Sequence, residues 1–209
     1  MKEFDINKWN RRAVYETFSQ LDFPFYHVAF YVDVARLKEY TVKHGLSFYY
    51  SMIWLATKAA DSILNFRLRI IEGKLYDIET SVPTLTFLKP DSEVFQTVIC
   101  ALTDSVDEYT SKVKILTERQ MNFIGGENIP EQQKIYFSCL PWMEITSLSS
   151  ERMLDPDDAI PRIAWGKYVK RNESLQLCVS VDVNHRLIDG YHIGRFYQEL
   201  QKAISSLPD

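Results

Sequence analysis

Apolar positions along this chain change period as it is read, and each period names an element. Residues 25–34 crowd aromatic and β-branched side chains together (Phe25, Tyr26, Val28, Phe30, Val32), which suits a buried strand. Asp33 then offers an N-cap for a short helix through Lys43, closed by Gly45. Over 48–64, Met52, Leu55, Ala59 and Ile63 fall on one helical face. Residues 66–72 and 74–79 flank Gly73 as the arms of a hairpin. Two further strands, 82–88 and 94–102, are separated by the turn-forming Lys89-Pro90-Asp91-Ser92. Helical spacing returns over 105–123 with Val106, Tyr109, Val113 and Leu116. A polar loop around Gly125-Gly126 leads to a strand at 135–140. Strands at 143–148, 162–169 and 175–183 follow, and a helix spans 190–205.

Strands and helices therefore mix without the regular alternation of a doubly wound sheet. The pattern predicts an α/β or α+β fold, one large mixed β-sheet with packed helices, in a single domain over residues 1–209.

Composition narrows the function classes. The 209 residues are 46% hydrophobic and 25% charged, as expected of a folded globular chain. A net charge of −4 with dispersed lysines and arginines lacks the basic stripe of a nucleic-acid binder. No window approaches 18 consecutive apolar residues, so no bilayer span is expected; Met1-Lys2-Glu3-Phe4-Asp5 lacks the apolar stretch of a signal peptide, and with reduced cysteines the expected location is cytoplasmic. Cys100, Cys139 and Cys178 are odd in number and sit in apolar stretches, so they read as reduced core thiols. His27, His44, His185 and His192 form no ligand pattern, and no metal is expected.

The chemistry concentrates near residue 185. In 175–183 the alternation places Leu175, Leu177, Val179, Val181 and Val183 on one face. The strand stops at Asn184-His185 and a helix begins near Asp189-Gly190, so His185 ends a rigid strand and can reach a cleft. From the residues alone, a plain loop histidine beside a helix-capping Asp189 explains the same string.

The string His185-Arg186-Leu187-Ile188-Asp189-Gly190 is similar to the His-x-x-x-Asp-Gly signature of CoA-dependent acyltransferases, and the rest of the chain resembles the chloramphenicol acetyltransferase family. The resemblance also covers Phe4-Asp5 through Trp9-Asn10-Arg11-Arg12, the aromatic-rich 48–64, Leu140-Pro141-Trp142 followed by Thr146-Ser147, and Lys167-Tyr168. It implies His185 as general base toward a substrate hydroxyl, a task suited to a side chain whose ordinary pKa is about 6.5. It implies Ser147 as hydrogen-bond donor to the oxyanion, and Asp189 as a structural partner of Arg11, with Arg12 the neighbouring alternative. Tyr168 and Lys167 would meet CoA, acetyl-CoA being the cosubstrate. The expected assembly is a homotrimer with interfacial active sites. Transfer would be direct, since Cys139, the one tempting nucleophile, reads as buried.

Departures from the family pattern fall mostly on the acceptor side. Asn184 replaces the first of two adjacent histidines, and Ala164 replaces a threonine. Phe18, Pro24 and Tyr26 stand where the family has a tyrosine, a cysteine and a phenylalanine around chloramphenicol. A small-molecule acceptor of chloramphenicol type is therefore the expectation. A dihydrolipoamide-type acyltransferase and a homologue that binds without turnover are the alternatives.

Overall fold

The computed structural model describes residues 1–208. It opens with strand β1 (Lys2–Glu3) and helix α1 (Arg12–Phe18), neither of which the periodicity marks. There follow β2 (Phe25–Asp33), α2 (Ala35–His44), α3 (Phe48–Asp61), the single turn α4 (Leu64–Arg67), β3 (Leu68–Ile71) and β4 (Lys74–Asp77). The middle holds β5 (Val82–Leu88), β6 (Phe95–Ile99), α5 (Val106–Arg119), β7 (Ile124–Gly126) and β8 (Lys134–Cys139). Strands β9 (Arg162–Trp165), β10 (Val169–Arg171) and β11 (Ser174–Asn184) precede helix α6 (Gly190–Ser205).

Eight strands build the main sheet in the order β10-β11-β9-β8-β5-β6-β7, with β2 joined to the other edge of β11. The sheet is mixed, as expected: β8 runs parallel to β5 and β9, and β7 parallel to β6, while β2 and β9 both run antiparallel to β11. A small sheet, β1-β4-β3, lies apart. Its β3–β4 hairpin turns through Glu72 (φ 50°) and Gly73 (φ 74°), two positive φ values in succession as a two-residue type I′ turn requires.

The core forms where two helices cover β11. Helix α3 contributes Met52, Ile53, Leu55, Ala56 and Ala59, and α6 contributes Ile193, Phe196, Leu200 and Ile204. They meet Leu177, Val179, Val181 and Val183, the face the alternation marked. Burying each of the Leu, Ile, Val, Phe and Met side chains stabilises the fold by roughly 1.5–3 kcal/mol. Ser47 and Ser105 cap α3 and α5 by accepting from Tyr50 N and Glu108 N, both at 3.3 Å.

Several boundaries differ from the sequence reading. Asp33 ends β2 and sits one residue ahead of the cap position, Val34, although its carboxylate still accepts from Ala35 N at 2.8 Å. The helix over 48–64 stops at Asp61, because Ile63 turns extended before α4. The one over 105–123 stops at Arg119, where Gln120 is extended and its amide donates to Thr97 O and Asn122 O. Gly125-Gly126 is not a loop but part of β7: Gly126 (φ 92°) lies so close to β6 that a Cβ there would fall 2.0 Å from Ile99 O. The strand over 162–169 splits at Gly166 into β9 and β10.

No strand forms at 143–148. That segment lies across the sheet and is tied down by single bonds: Lys167 N to Met143 O (2.7 Å), Cys178 Sγ to Thr146 O (3.3 Å) and Leu148 N to Ser180 Oγ (2.9 Å). Gly166 permits this approach, since a Cβ there would stand 2.7 Å from Met143 O and 3.0 Å from Ile145. Gly166→Ala therefore overpacks the crossing and is expected to lower stability by about 1–3 kcal/mol. Urea unfolding measures it; an unchanged midpoint would show that the segment yields freely.

Candidate functional site

The end of β11 fixes His185 through its backbone. His185 N–H donates to Pro24 O at 2.7 Å, one step beyond the β2–β11 ladder. Asn184 O accepts from Leu187 N and Ile188 N, both at 3.0 Å, which turns the chain toward α6. The Asn184 amide donates to Pro156 O and Asp158 O (2.8 and 3.1 Å), so the residue standing in place of a histidine brackets the 156–158 loop.

The His185 imidazole lies between two rings. Phe18 stacks on it at 4.3 Å and 27°, Tyr26 at 4.3 Å and 24°. Its Nδ1 is buried and finds no hydrogen-bond partner within the chain. Ring orientation thus rests on stacking, not on the acceptor that commonly orients a catalytic histidine. Pro24 is buried beside this group, and Ala164 is buried within β9 opposite Ser180 of β11.

Asp189 caps α6 by accepting from Tyr191 N at 3.0 Å, and its other oxygen meets Arg11 Nη1. Arg12 instead binds Glu16 (2.6 Å) and Asn7 (2.7 Å), so Arg11 is the partner. Burial pushes the Asp189 carboxyl up, but Arg11 prevails and holds it below the usual aspartate range. His192 Nδ1 lies 2.9 Å from Asp189 Oδ1 and 3.2 Å from Asp189 N. Burial keeps that ring's pKa below its ordinary value despite the Asp189 charge, so Nδ1 accepts from the backbone N–H, and the contact is a cap, not an ion pair.

Ser147 and His185 do not bond to each other among the described residues. Ser147, exposed on the crossing segment, places its Oγ 2.8 Å from His27 Nε2, and His27 Nδ1 lies 3.0 Å from Asp182 Oδ1. Asp182 is buried and also accepts from Ser149 Oγ (3.3 Å) and Ser150 N (3.0 Å). The sequence reading missed His27 and Asp182. The available signal was Asp182 itself, a carboxylate inside the apolar run of β11; only the register Asp182↔His27 supplies its partner.

Tyr168 packs elsewhere, its ring 5.0 Å from Phe48 with Lys38 Nζ 5.7 Å above it, and Lys167 is exposed next to it. Near the Leu140-Pro141-Trp142 segment a cleft of about 600 Å³ is lined by Thr84, Phe95, Phe137, Cys139, Trp142 and Leu148. Burial raises the Cys139 thiol to about 12, so it stays protonated and poorly nucleophilic. The three cysteines are free. Among the described residues no group of three or more His, Cys, Asp or Glu is placed to hold a metal, and no helix is long and apolar enough to cross a membrane.

A strand-end histidine thus stands beside a carboxylate tied to Arg11 on a large mixed sheet, and comparison with known proteins shows an acyltransferase. The family model for chloramphenicol acetyltransferase matches residues 1–201, and the chain belongs to that family. It is 24% identical to chloramphenicol acetyltransferase 3 of Escherichia coli over 98% of this chain and 97% of that one. It is 26% identical to a chloramphenicol acetyltransferase of Clostridium perfringens over 98% and 99%. A solved chloramphenicol acetyltransferase superposes with a TM-score of 0.86 at 19% identity, covering 97% of this chain and 99% of that one. The dihydrolipoamide acetyltransferase of Azotobacter vinelandii superposes with 0.66 at 15% identity, covering 93% and 86%, which shows a shared fold.

Proposed function

We propose that this acyltransferase, one domain over its length, moves the acetyl group of acetyl-CoA directly to a hydroxyl of chloramphenicol or a similar small amphiphile. The supporting observation is the His185 imidazole held between Phe18 and Tyr26, with a strand fixing its backbone and Arg11 fixing Asp189 next to it. An acceptor resting on Phe18, Tyr26, Pro24 and Ala164 would bring its hydroxyl to the base. His185 takes that proton as the oxygen attacks the thioester carbonyl. Asp189 accepts no proton; its carboxylate serves the scaffold. The inert Cys139 favours direct transfer over a thioester on the enzyme.

Ser147 is the proposed donor to the tetrahedral oxyanion, a role worth roughly 3 kcal/mol. Within one chain it does not bond to His185, which supports a site shared between copies in a homotrimer. Lys167 and Tyr168 would receive CoA. The site lies in a protein of the cytoplasm, where acetyl-CoA is available, and such a reaction would confer antibiotic resistance.

The test is CoA release from acetyl-CoA above the acceptor-free rate, across a panel of acceptors including chloramphenicol and dihydrolipoamide, in the fraction whose light-scattering mass is a multiple of 24.5 kDa. Turnover with chloramphenicol is the expected result. Turnover confined to dihydrolipoamide would replace the acceptor, binding without CoA release would remove the activity, and full activity in a 24.5 kDa monomer would refute the shared site.

A further inference from the structure

We propose that Ser147, which the transfer reaction uses as oxyanion donor, also acts with His27 and Asp182 as a triad that hydrolyses activated acyl esters through an acyl-Ser147 intermediate, with His27 and not His185 as the base. The geometry meets the requirements of an activated nucleophile: Ser147 Oγ is 2.8 Å from His27 Nε2, and the opposite ring nitrogen is 3.0 Å from Asp182 Oδ1. Nδ1 faces a carboxylate and therefore carries the ring proton. Nε2 then presents its lone pair to the Ser147 hydroxyl, which is the tautomer a base needs. Asp182 is buried and held by Ser149 Oγ and Ser150 N, so its orientation is fixed by groups other than His27. The crossing segment is already anchored through Leu148 N to Ser180 Oγ and Ser150 N to Asp182, so the His27–Ser147 bond is not required to hold it. Ser147 itself is exposed and open to a substrate.

The step balances with water alone. Ser147 Oγ bonds to the acyl carbon and its proton passes to His27 Nε2; collapse of the tetrahedral adduct breaks the bond to the leaving group, which takes that proton. Water then attacks the acyl-serine, gives a proton to His27, and the returning proton restores the Ser147 hydroxyl as the carboxylic acid departs.

Substrate class follows from what surrounds the serine. The backbone N–H after the nucleophile, Leu148 N, is spent on Ser180 Oγ at 2.9 Å, so it does not stabilise an oxyanion in this arrangement. Acyl groups with good leaving groups, thioesters and aryl esters, need that help least; amides need it most. The cleft of about 600 Å³ beginning at Leu148 and Ser149 carries Phe95, Phe137 and Trp142, an apolar wall suited to an acyl or aryl portion.

The test mixes purified protein with p-nitrophenyl acetate and no acceptor alcohol. A burst of p-nitrophenolate is expected, with one acetyl group on Ser147 in the peptide map of acid-quenched protein. Ser147→Ala and His27→Gln are each expected to lower the steady rate by at least about tenfold. In the His185→Ala chain, which lacks the transfer base, hydrolysis should persist within about twofold, so failure of the transferase reading and failure of this one separate. Melting curves are to be run on both variants and should match the parent's, Ser147→Ala being an exposed change. No hydrolysis by the parent, equal hydrolysis by Ser147→Ala, acetylation of a lysine or Cys139 alone, or dependence on His185 without His27 would each overturn the proposal.

Discussion

His185→Ala is expected to remove acetyl transfer while leaving the fold standing. A positioned general base contributes about 10²–10⁴ in rate, which corresponds to roughly 2.7–5.5 kcal/mol of barrier. The fold should tolerate the change because the bond that places this residue, His185 N to Pro24 O, is a backbone bond that alanine keeps. Two stability effects oppose each other. Losing the stacks on Phe18 and Tyr26 costs about 0.5–1.5 kcal/mol each. Removing the buried, unpartnered Nδ1 relieves about 1–3 kcal/mol. Net stability should therefore move little while kcat collapses. Steady-state kinetics beside urea unfolding check both halves, and near-normal kcat in the variant would sink the assignment of the base.

Asp189→Ala should be the most destabilising single change at the site. Arg11 has its Nε and Nη2 buried without hydrogen-bond partners, and besides the Trp9 ring 5.7 Å away Asp189 is the group that balances its charge. Stranding a buried charge costs about 3–5 kcal/mol, and losing a helix cap adds about 1. The two side chains keep 15% and 27% exposure, which places the total toward the lower end, about 3 kcal/mol. Removing the charge as well, in Arg11→Met with Asp189→Ala, should restore part of that loss, since the two effects are coupled. The carboxyl of Asp189 is held below its ordinary value, so its contribution is present above the unfolded aspartate pKa of about 3.9 and is lost as pH falls through the folded value. The difference between parent and variant should thus shrink in acid. Urea unfolding at stepped pH measures it, and a difference that stayed constant would show the ion pair to be energetically idle.

The sequence revealed elements wherever one face of a helix or strand meets the core. Helices α3, α5 and α6 and strand β11 each carry an apolar period, so their existence and their buried faces were readable. What escaped notice was set by partners distant in sequence. Residues 143–148 have the composition of a strand but no free ladder to join, and their backbone bonds go to Lys167, Ser180 and Cys178 instead. Gly125-Gly126 reads as a loop because glycine signals turns, yet close approach to β6 is the reason glycine is needed there. The same division holds at the site. His185, Asp189 and Arg11 stood out through the resemblance, and the structure chose Arg11 over Arg12. Nothing local joins His27 to Asp182; 155 positions separate them, and only antiparallel pairing of β2 with β11 brings them face to face.

That pairing also governs how a chain comes alive during synthesis. Strand β11 is made after every other strand among the described residues, and it brings Asp182 and the start of the His185 turn together. The earlier sheet can collapse around β5, β6 and β8 beforehand, but β2 must wait for its long-range partner, and such closure is slow. A chain cut short before residue 174 would hold much of the sheet but neither Asp182 nor His185, so the chemistry proposed for both histidines must wait until β11 has been made.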